Sequence, residues 1–318
     1  MTDKTQPHFD RTAIIGIGLI GSSLALALRE RGLTDKTIGI DQDADVLARA
    51  TALNLIDHAA PSLKEGVSDA DLIIVATPVG AIDEIVDGLG KHARDGAIII
   101  DAGSVKGVIA TAAATLPERL LFVPSHPVSG TEQSGPEAGF ATLFEERWCI
   151  LTPLERSDEA YRVAVDKVAA LWRAVGADVD IMDAAHHDLA LAVTSHLPHL
   201  IAFTLVGAAD DVESVAAGEV VKYSAGGFRD FTRIAASDPV MWRDVFLNNR
   251  EAVLEVLGRF SEELAVMQRA IRWGDGKALH AAFERGRALR HAIVEAGQET
   301  ASPNFGRDQK TDEESGEG

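Results

Sequence analysis

The stretch 12–41, TAIIGIGLIGSSLALALRERGLTDKTIGID, restricts the fold of this chain more than any other. A β-branched apolar run with Ile14, Ile15 and Ile17 leads into glycines at 16, 18 and 21. A helical stretch over 22–31 follows, Gly32 closes it, and a second apolar run, Thr37–Ile40, ends at Asp41. Strand, glycine turn, helix, strand and acid in that order make a unit suited to holding a dinucleotide. Gly16 permits the tight turn, Gly18 lets backbone N–H groups approach a pyrophosphate, and Gly21 lets helix and strand pack closely. Leu19 and Ile20 lie at the helix N-terminus, where free N–H donors and the helix dipole favour phosphate. Asp41, twenty residues after the last glycine, is placed to bind ribose hydroxyls, and its charge disfavours the extra phosphate of NADP. NAD is the expected cofactor.

Strands and helices continue to alternate beyond Asp41. Residues 44–54 read as a helix, and 71–77 (DLIIVAT) as a strand covered on both faces. Thr77 and Pro78, where that strand ends, join the expected cofactor set. Ile82, Ile85, Val86 and Leu89 mark one apolar helical face. Further strands are predicted at 97–101, 120–124, Trp148–Leu151 and 179–182, with helices from 107 to about 116 and over 159–175. The pattern implies an α/β fold with a doubly wound, Rossmann-type parallel sheet over residues 10–182. Ligands of such sheets lie beyond the carboxyl ends of the strands, so the residues after Asp101 and Pro124 face the cofactor.

From Asp183 onward helical periodicity takes over, predicting an all-α domain over 183–297. Asp183 reads as the cap of a helix reaching about residue 208, and Asp238-Pro239 as an N-cap with proline at the first helical position. Phe246, Val253, Leu257, Phe260, Leu264 and Met267 keep a seven-residue rhythm, and a last helix is expected over 276–295. This apolar content exceeds the needs of one small helical cluster, so a homodimer packed through these helices is expected. Residues 301–318 are acidic and small, and disorder is expected there.

The formal charge of −19, from 30 Lys and Arg against 49 Asp and Glu, argues against nucleic acid as a partner. A single cysteine, Cys149, excludes an internal disulfide and fits a reducing compartment. The polar N-terminus lacks a signal-peptide core, and no unbroken run of about eighteen apolar residues occurs, so no membrane span and a cytoplasmic location are expected.

Two loops fall where such a sheet puts its site: 101–107 (DAGSVKG) and 125–132 (SHPVSGTE). His126, directly after a buried strand, is placed as a general base, its ordinary pKa of about 6.5 suiting proton abstraction near neutrality. Ser104 is placed to touch the cofactor and to hydrogen-bond that imidazole, fixing its tautomer. In the helical part, His196 and His199 lie three apart, but no third ligand at usable spacing is visible, so no metal is expected. His199, with Pro198 bending the helix beside it, is expected to face substrate instead. The segment 222–233 is opened by Gly226 and Gly227 and carries Arg229, Asp230 and Arg233, and arginine's planar fork suits a carboxylate. Trp242 reads equally as a site wall or as core. An anionic small molecule is the expected substrate.

The set GIGLIGSS, DAGSVKG, SHPVSGTEQSG, SHLPH and GGFRDFTRIAASDPVMWRD resembles the prephenate/arogenate (cyclohexadienyl) dehydrogenases of tyrosine biosynthesis, in order over residues 11–297. The resemblance implies a Rossmann domain joined to a helical dimerisation domain. It implies that His126 accepts the proton of the substrate's ring hydroxyl and that Ser104 orients it. It implies further that Arg233 holds a substrate carboxylate, with His199 and Trp242 nearby and Thr131 and Glu132 at the pocket edge. Gly226 and Asp230, on the same segment as Arg233, complete the expected substrate set. Serine rather than glycine before the His-Pro pair, at Ser125, is a small departure. The implied reaction is NAD-dependent oxidative decarboxylation of prephenate or arogenate. A β-hydroxyacid dehydrogenase with Lys222 as base, and a non-catalytic NAD sensor, are the rival readings.

Overall fold

The computed structural model describes residues 6–131, 133–213 and 226–295. Glu132, Lys222 and the acidic tail, each singled out above, lie outside them.

Six strands form one parallel sheet in the order β3-β2-β1-β4-β5-β6. They are β1 (Thr12–Ile15), β2 (Thr37–Ile40), β3 (His58–Ala59), β4 (Leu72–Val75), β5 (Ile98–Asp101) and β6 (Leu121–Val123). Strands β1, β2, β4 and β5 are buried at every position, which is why they read as unbroken apolar runs. Successive side chains still go to opposite faces. Ile14, Ile74 and Ile100 pack on one side with Leu24 and Leu28 of α1 (Leu19–Glu30) and Trp172 of α6 (Glu159–Ala174). Ala13, Ile15, Ile73 and Ile99 pack on the other with Val86 and Leu89 of α4 (Ile82–His92) and Ile109 of α5 (Gly107–Ala113). Two short helices, α2 (Ala44–Ala52) and α3 (Leu63–Val67), complete the layers. The strand order turns back between β1 and β4, and the crevice beyond their carboxyl ends is where such sheets bind ligands.

The sequence-based expectation for residues 125–127 is corrected. They are not loop but β7 (Ser125–Pro127), antiparallel to β8 (Trp148–Leu151), which pairs in parallel with β9 (Asp178–Ile181) in a separate three-stranded sheet. A strand three residues long has no periodicity to read, and its partner lies some twenty residues further along the chain.

Asp183 caps α7 (Ala184–Leu191), its carboxylate accepting the His186 N–H at 2.8 Å. A π-helical turn, Ala192–His196, joins α7 to α8 (Leu197–Glu213). Pro198 lacks an N–H and crowds the carbonyl four residues before it, and the widened turn immediately upstream accommodates both. Among the described residues the resulting helix, Ala184–Ala209, is the one long and apolar enough to cross a membrane, with a mean hydropathy of 1.7 and 28% burial in its most apolar window. Its apolar run is not unbroken, because histidine, threonine and serine punctuate it. Then come α9 (Gly226–Thr232), a short 3-10 turn (Arg233–Ala236) and α10 (Pro239–Asn248), the last capped by Asp238 through the Met241 N–H at 2.8 Å. The seven-residue rhythm is split by Asn249, which ends α10 before α11 (Arg250–Trp273) begins. The described residues form two compact units, divided after Arg250. The second contains most of α11 together with α12 (Gly276–Glu295).

Candidate active site

The glycine turn has the geometry its three glycines promised. Gly16 sits at φ +91°, and a Cβ there would lie 2.7 Å from the Ala76 carbonyl oxygen. A Cβ on Gly21 would lie 2.0 Å from the Gly16 carbonyl oxygen, so α1 packs on β1 at glycine distance. A Cβ on Gly18 would meet nothing within 4 Å. That open space fronts the N-terminus of α1, where no side chain caps the helix and no acid occupies the first turn. The Asp41 carboxylate holds the turn from the far side, accepting N–H groups from Ile17 and Asp43, each at 3.0 Å. Thr77 borders the same turn, its methyl 3.0 Å from where a Gly16 Cβ would be, and Pro78 opens the short turn Val79–Ala81. A backbone cradle, an open approach and an acid at the end of β2 fit the pyrophosphate and ribose of a dinucleotide.

Next to this cradle, Asp101 at the end of β5 is buried and receives three groups. Its Oδ1 accepts the Ser125 N–H at 3.0 Å, its Oδ2 accepts the Gly103 N–H at 2.8 Å, and Lys106 Nζ pairs with Oδ2. Lys106 is fully buried and also donates to the Ser125 carbonyl at 2.7 Å. Burial pulls its ammonium below the ordinary lysine range against the attraction of Asp101. The pair ties the loop after β5 to β7, and so fixes the backbone that carries His126.

His126 is 7% exposed. Its Nδ1 lies 2.8 Å from His187 Nε2, with the rings edge-on at 69°. Nδ1 of His187 lies 2.8 Å from Asp188 Oδ1. Asp188 in turn accepts the N–H groups of Lys106 at 2.7 Å and Gly107 at 2.8 Å, fastening α7 to the start of α5. Burial, with His187, Lys106 and His196 adding to it, holds the His126 imidazole well below the usual histidine range. It is therefore unprotonated at neutral pH. Among the described residues Ser104 makes no hydrogen bond, and the imidazole's Nδ1 is engaged by His187.

A second group of rings begins at His196, nine residues beyond His187. Asn249 donates to the Asp188 carbonyl at 2.8 Å and lies 3.0 Å from His196 Nδ1. His196 is fully buried, which lowers its pKa to about 4. His199 stacks on Trp242 with centroids 3.7 Å apart, and its Nδ1 donates to the Ser195 carbonyl at 2.9 Å. Burial and the nearby Arg233 charge both lower the pKa of His199, so Arg233 lies within electrostatic reach of that ring. Trp242 packs with Val79 and Val105, which follow Pro78 and Ser104 in the chain. The helical segment thus brings Trp242, His199 and Arg233 against the carboxyl edge of the sheet. Among the described residues Trp242 Nε1 and His196 Nε2 are buried without a hydrogen-bond partner. Arg229 pairs with Asp230 at 3.2 Å on an exposed face, while Thr131 accepts the Gln133 N–H at 3.2 Å within its own loop. Gly226 opens α9, where an added Cβ would lie 3.8 Å from the Asp230 carboxylate.

His187, Asp188, Lys106 and Asn249 were missed as site residues in the sequence. The available signal was His-His-Asp just inside a capped helix that is otherwise apolar.

A dinucleotide cradle beside a buried, unprotonated histidine, walled by a helical segment carrying an arginine, defines a two-part nucleotide-dependent dehydrogenase. Two family models match the chain: the prephenate dehydrogenase nucleotide-binding domain over residues 24–181 and the prephenate dehydrogenase dimerization domain over 183–285. The chain belongs to the prephenate dehydrogenase family. It is 40% identical over 287 residues to the cyclohexadienyl dehydrogenase of Zymomonas mobilis, covering 90% of this chain and 96% of that protein. The crystal structure of Aquifex aeolicus prephenate dehydrogenase in complex with hydroxyphenyl propionate and NAD+ superimposes with a TM-score of 0.80 at 34% identity, covering 89% of this chain and 98% of that one. Synechocystis arogenate dehydrogenase gives 0.72 at 27% identity, covering 89% and 99%.

Proposed function

We propose that this protein oxidatively decarboxylates prephenate, arogenate or both, with NAD as hydride acceptor, giving 4-hydroxyphenylpyruvate or tyrosine and CO2. The observation that carries the reading is a buried, neutral His126 beside the dinucleotide cradle, with the His199–Trp242–Arg233 group packed onto the same edge.

The substrate ring carries a hydroxyl at one carbon and a carboxylate at the opposite one. NAD, when bound, supplies the acceptor for the hydride on the hydroxyl-bearing carbon. His126 Nε2 takes the hydroxyl proton. The ring ketone that would otherwise form is a vinylogous β-keto acid, so the carboxylate leaves as CO2 and the ring becomes aromatic. Arg233 holds a carboxylate, and Trp242 and His199 fix the plane of the ring. Aromatisation drives the reaction, so the protein supplies orientation and one proton acceptor. Orientation contributes roughly 7–11 kcal/mol. A placed base contributes on the order of 10²–10⁴ in rate.

The finer assignments rest on the same features. Asp41 favours NAD over NADP. Domains of residues 10–182 and 183–297 divide cofactor from substrate and dimer contacts. A homodimer covers apolar surface left open in each unit: Leu189, Val193, Leu205 and Val206 in the first, and Leu264, Ile271, Trp273, Phe283 and Leu289 in the second. A cytoplasmic location agrees with the single free cysteine. The test is purified protein with NAD, offered prephenate and arogenate in turn, with absorbance of reduced cofactor and CO2 release followed together. Equal amounts of both products from at least one substrate are expected. Cofactor binding without turnover of either would overturn the proposal.

A further inference from the structure

We propose that His187 and Asp188 form a relay with His126 that fixes its tautomer and takes over part of its charge when it accepts a proton. The inference rests on the reading of His126 as the base, and adds the residues that make it one.

The tautomers follow from the donors around Asp188. Both of its carboxylate oxygens already receive backbone N–H groups, from Lys106 and Gly107, so the carboxylate faces His187 as an acceptor. His187 Nδ1 therefore carries the proton of that contact. Its Nε2 is then a lone pair, and His126 Nδ1, 2.8 Å away, must donate to it. His126 is left with its lone pair on Nε2. Among the described residues no hydrogen bond engages that atom. Among the described residues nothing competes for the electrons that must take the substrate's proton.

Proton balance gives the second half. When the hydroxyl proton bonds to His126 Nε2, the Nδ1–H bond can break and its proton pass to His187 Nε2. The positive charge then rests on His187, whose Nδ1–H already points at the Asp188 carboxylate. One proton enters at the substrate end, one moves across the 2.8 Å contact, and no oxidant or further group is needed. A lone imidazolium at the His126 position would face Lys106 and His196 in a buried setting with no anion of its own. The groups around the relay are Asp101 and Lys106 on the β5–α5 side, Cys149 on β8, whose thiol burial keeps protonated, and His196 after α7.

The test is a set of kcat–pH profiles for His187→Leu and His187→Gln, with NAD and substrate affinities measured alongside. His187→Leu removes the acceptor and should lower kcat by about 10²-fold with small changes in KM, displacing the acid limb of the profile. His187→Gln restores an acceptor oxygen but cannot carry the proton, so it should return the tautomer and part of the rate. A structural role alone would leave the acid limb in place. Nitrogen NMR of the unsubstituted protein with labelled histidine gives a second, independent reading. Neutral His126 should show a protonated Nδ1 and a bare Nε2; the opposite tautomer overturns the relay. His187 variants with wild-type kcat and pH profile, beside an inactive His126→Ala, would remove the relay and leave the base. An active His126→Ala would remove the base as well.

Discussion

Lys106 and Asp101 show what a single buried pair does in this site. Neither side chain is more than 1% exposed, and between them they receive or supply the contacts that hold Ser125 beside His126. Lys106→Met leaves the Asp101 charge buried and unpaired, an imbalance that typically costs about 3–5 kcal/mol. The expected outcome is a large drop in unfolding free energy by urea titration, whereas an unchanged value would mean that the carboxylate finds another partner. Arg233 belongs to the binding side. Its replacement by alanine should raise KM for the substrate by about tenfold or more while kcat falls less, since a charge-assisted contact is worth roughly 1.5–3 kcal/mol. A KM unchanged in steady-state assays would count against the carboxylate role. Much of this scale was invisible in the sequence. His126 stood out because it follows a strand, but His187 lies 61 residues away, and nothing local joins the two. Ser104 looked like the orienting partner because neighbouring strand ends bring it close in sequence logic. The folded helix adds a ring, His187, at the Nδ1 of that imidazole.

The turn between β1 and α1 was legible almost completely, because each glycine answers a local backbone demand. The structure separates the three in a way that makes them testable. Gly21→Ala drives a Cβ to 2.0 Å from a backbone oxygen that cannot move without displacing β1. Gly18→Ala adds a methyl to open space. The first should lower the melting temperature markedly, as overpacking costs about 1–3 kcal/mol or more where backbone is struck. The second should leave the melting temperature near wild type and weaken NAD binding alone. Calorimetry and cofactor titration distinguish them, and a Gly18→Ala protein with full NAD affinity would contradict the cradle. The strands of the main sheet were equally readable as apolar runs between turn signals. In the second sheet β8 and β9 were readable in the same way, but β7 was not, since it is three residues long and gains its identity from β8. The π-helical turn before Pro198 was foreseen as a bend, but not that it would carry His196 into the buried ring cluster.

For the molecule as a whole, the buried histidines tie stability to pH. The folded chain holds His196 near pKa 4 and His126 well below its ordinary value, whereas the unfolded chain takes up protons at about 6.5. As pH falls below that value the unfolded state binds protons that the folded state refuses, so stability declines. It is full above about pH 6.5 and is lost progressively toward pH 4, with His196 alone accounting for on the order of 3 kcal/mol. Urea unfolding at pH values between about 8 and 5 should show this decline; stability that is flat or rising toward acid would contradict it. The order of parts along the chain, sheet first and helices after, was plain from the loss of strand-like runs beyond Asp183. The compact division at Arg250 was not, because α7 to α10 lend their polar residues to the sheet's edge, and periodicity alone does not show which neighbour a helix serves.

The central claim is that the His126 imidazole accepts the substrate's proton, and its most direct measurement is turnover by His126→Ala with saturating NAD and substrate. A loss in kcat of about 10²–10⁴ with NAD affinity preserved is the predicted result. A kcat within about threefold of the unsubstituted protein would contradict it.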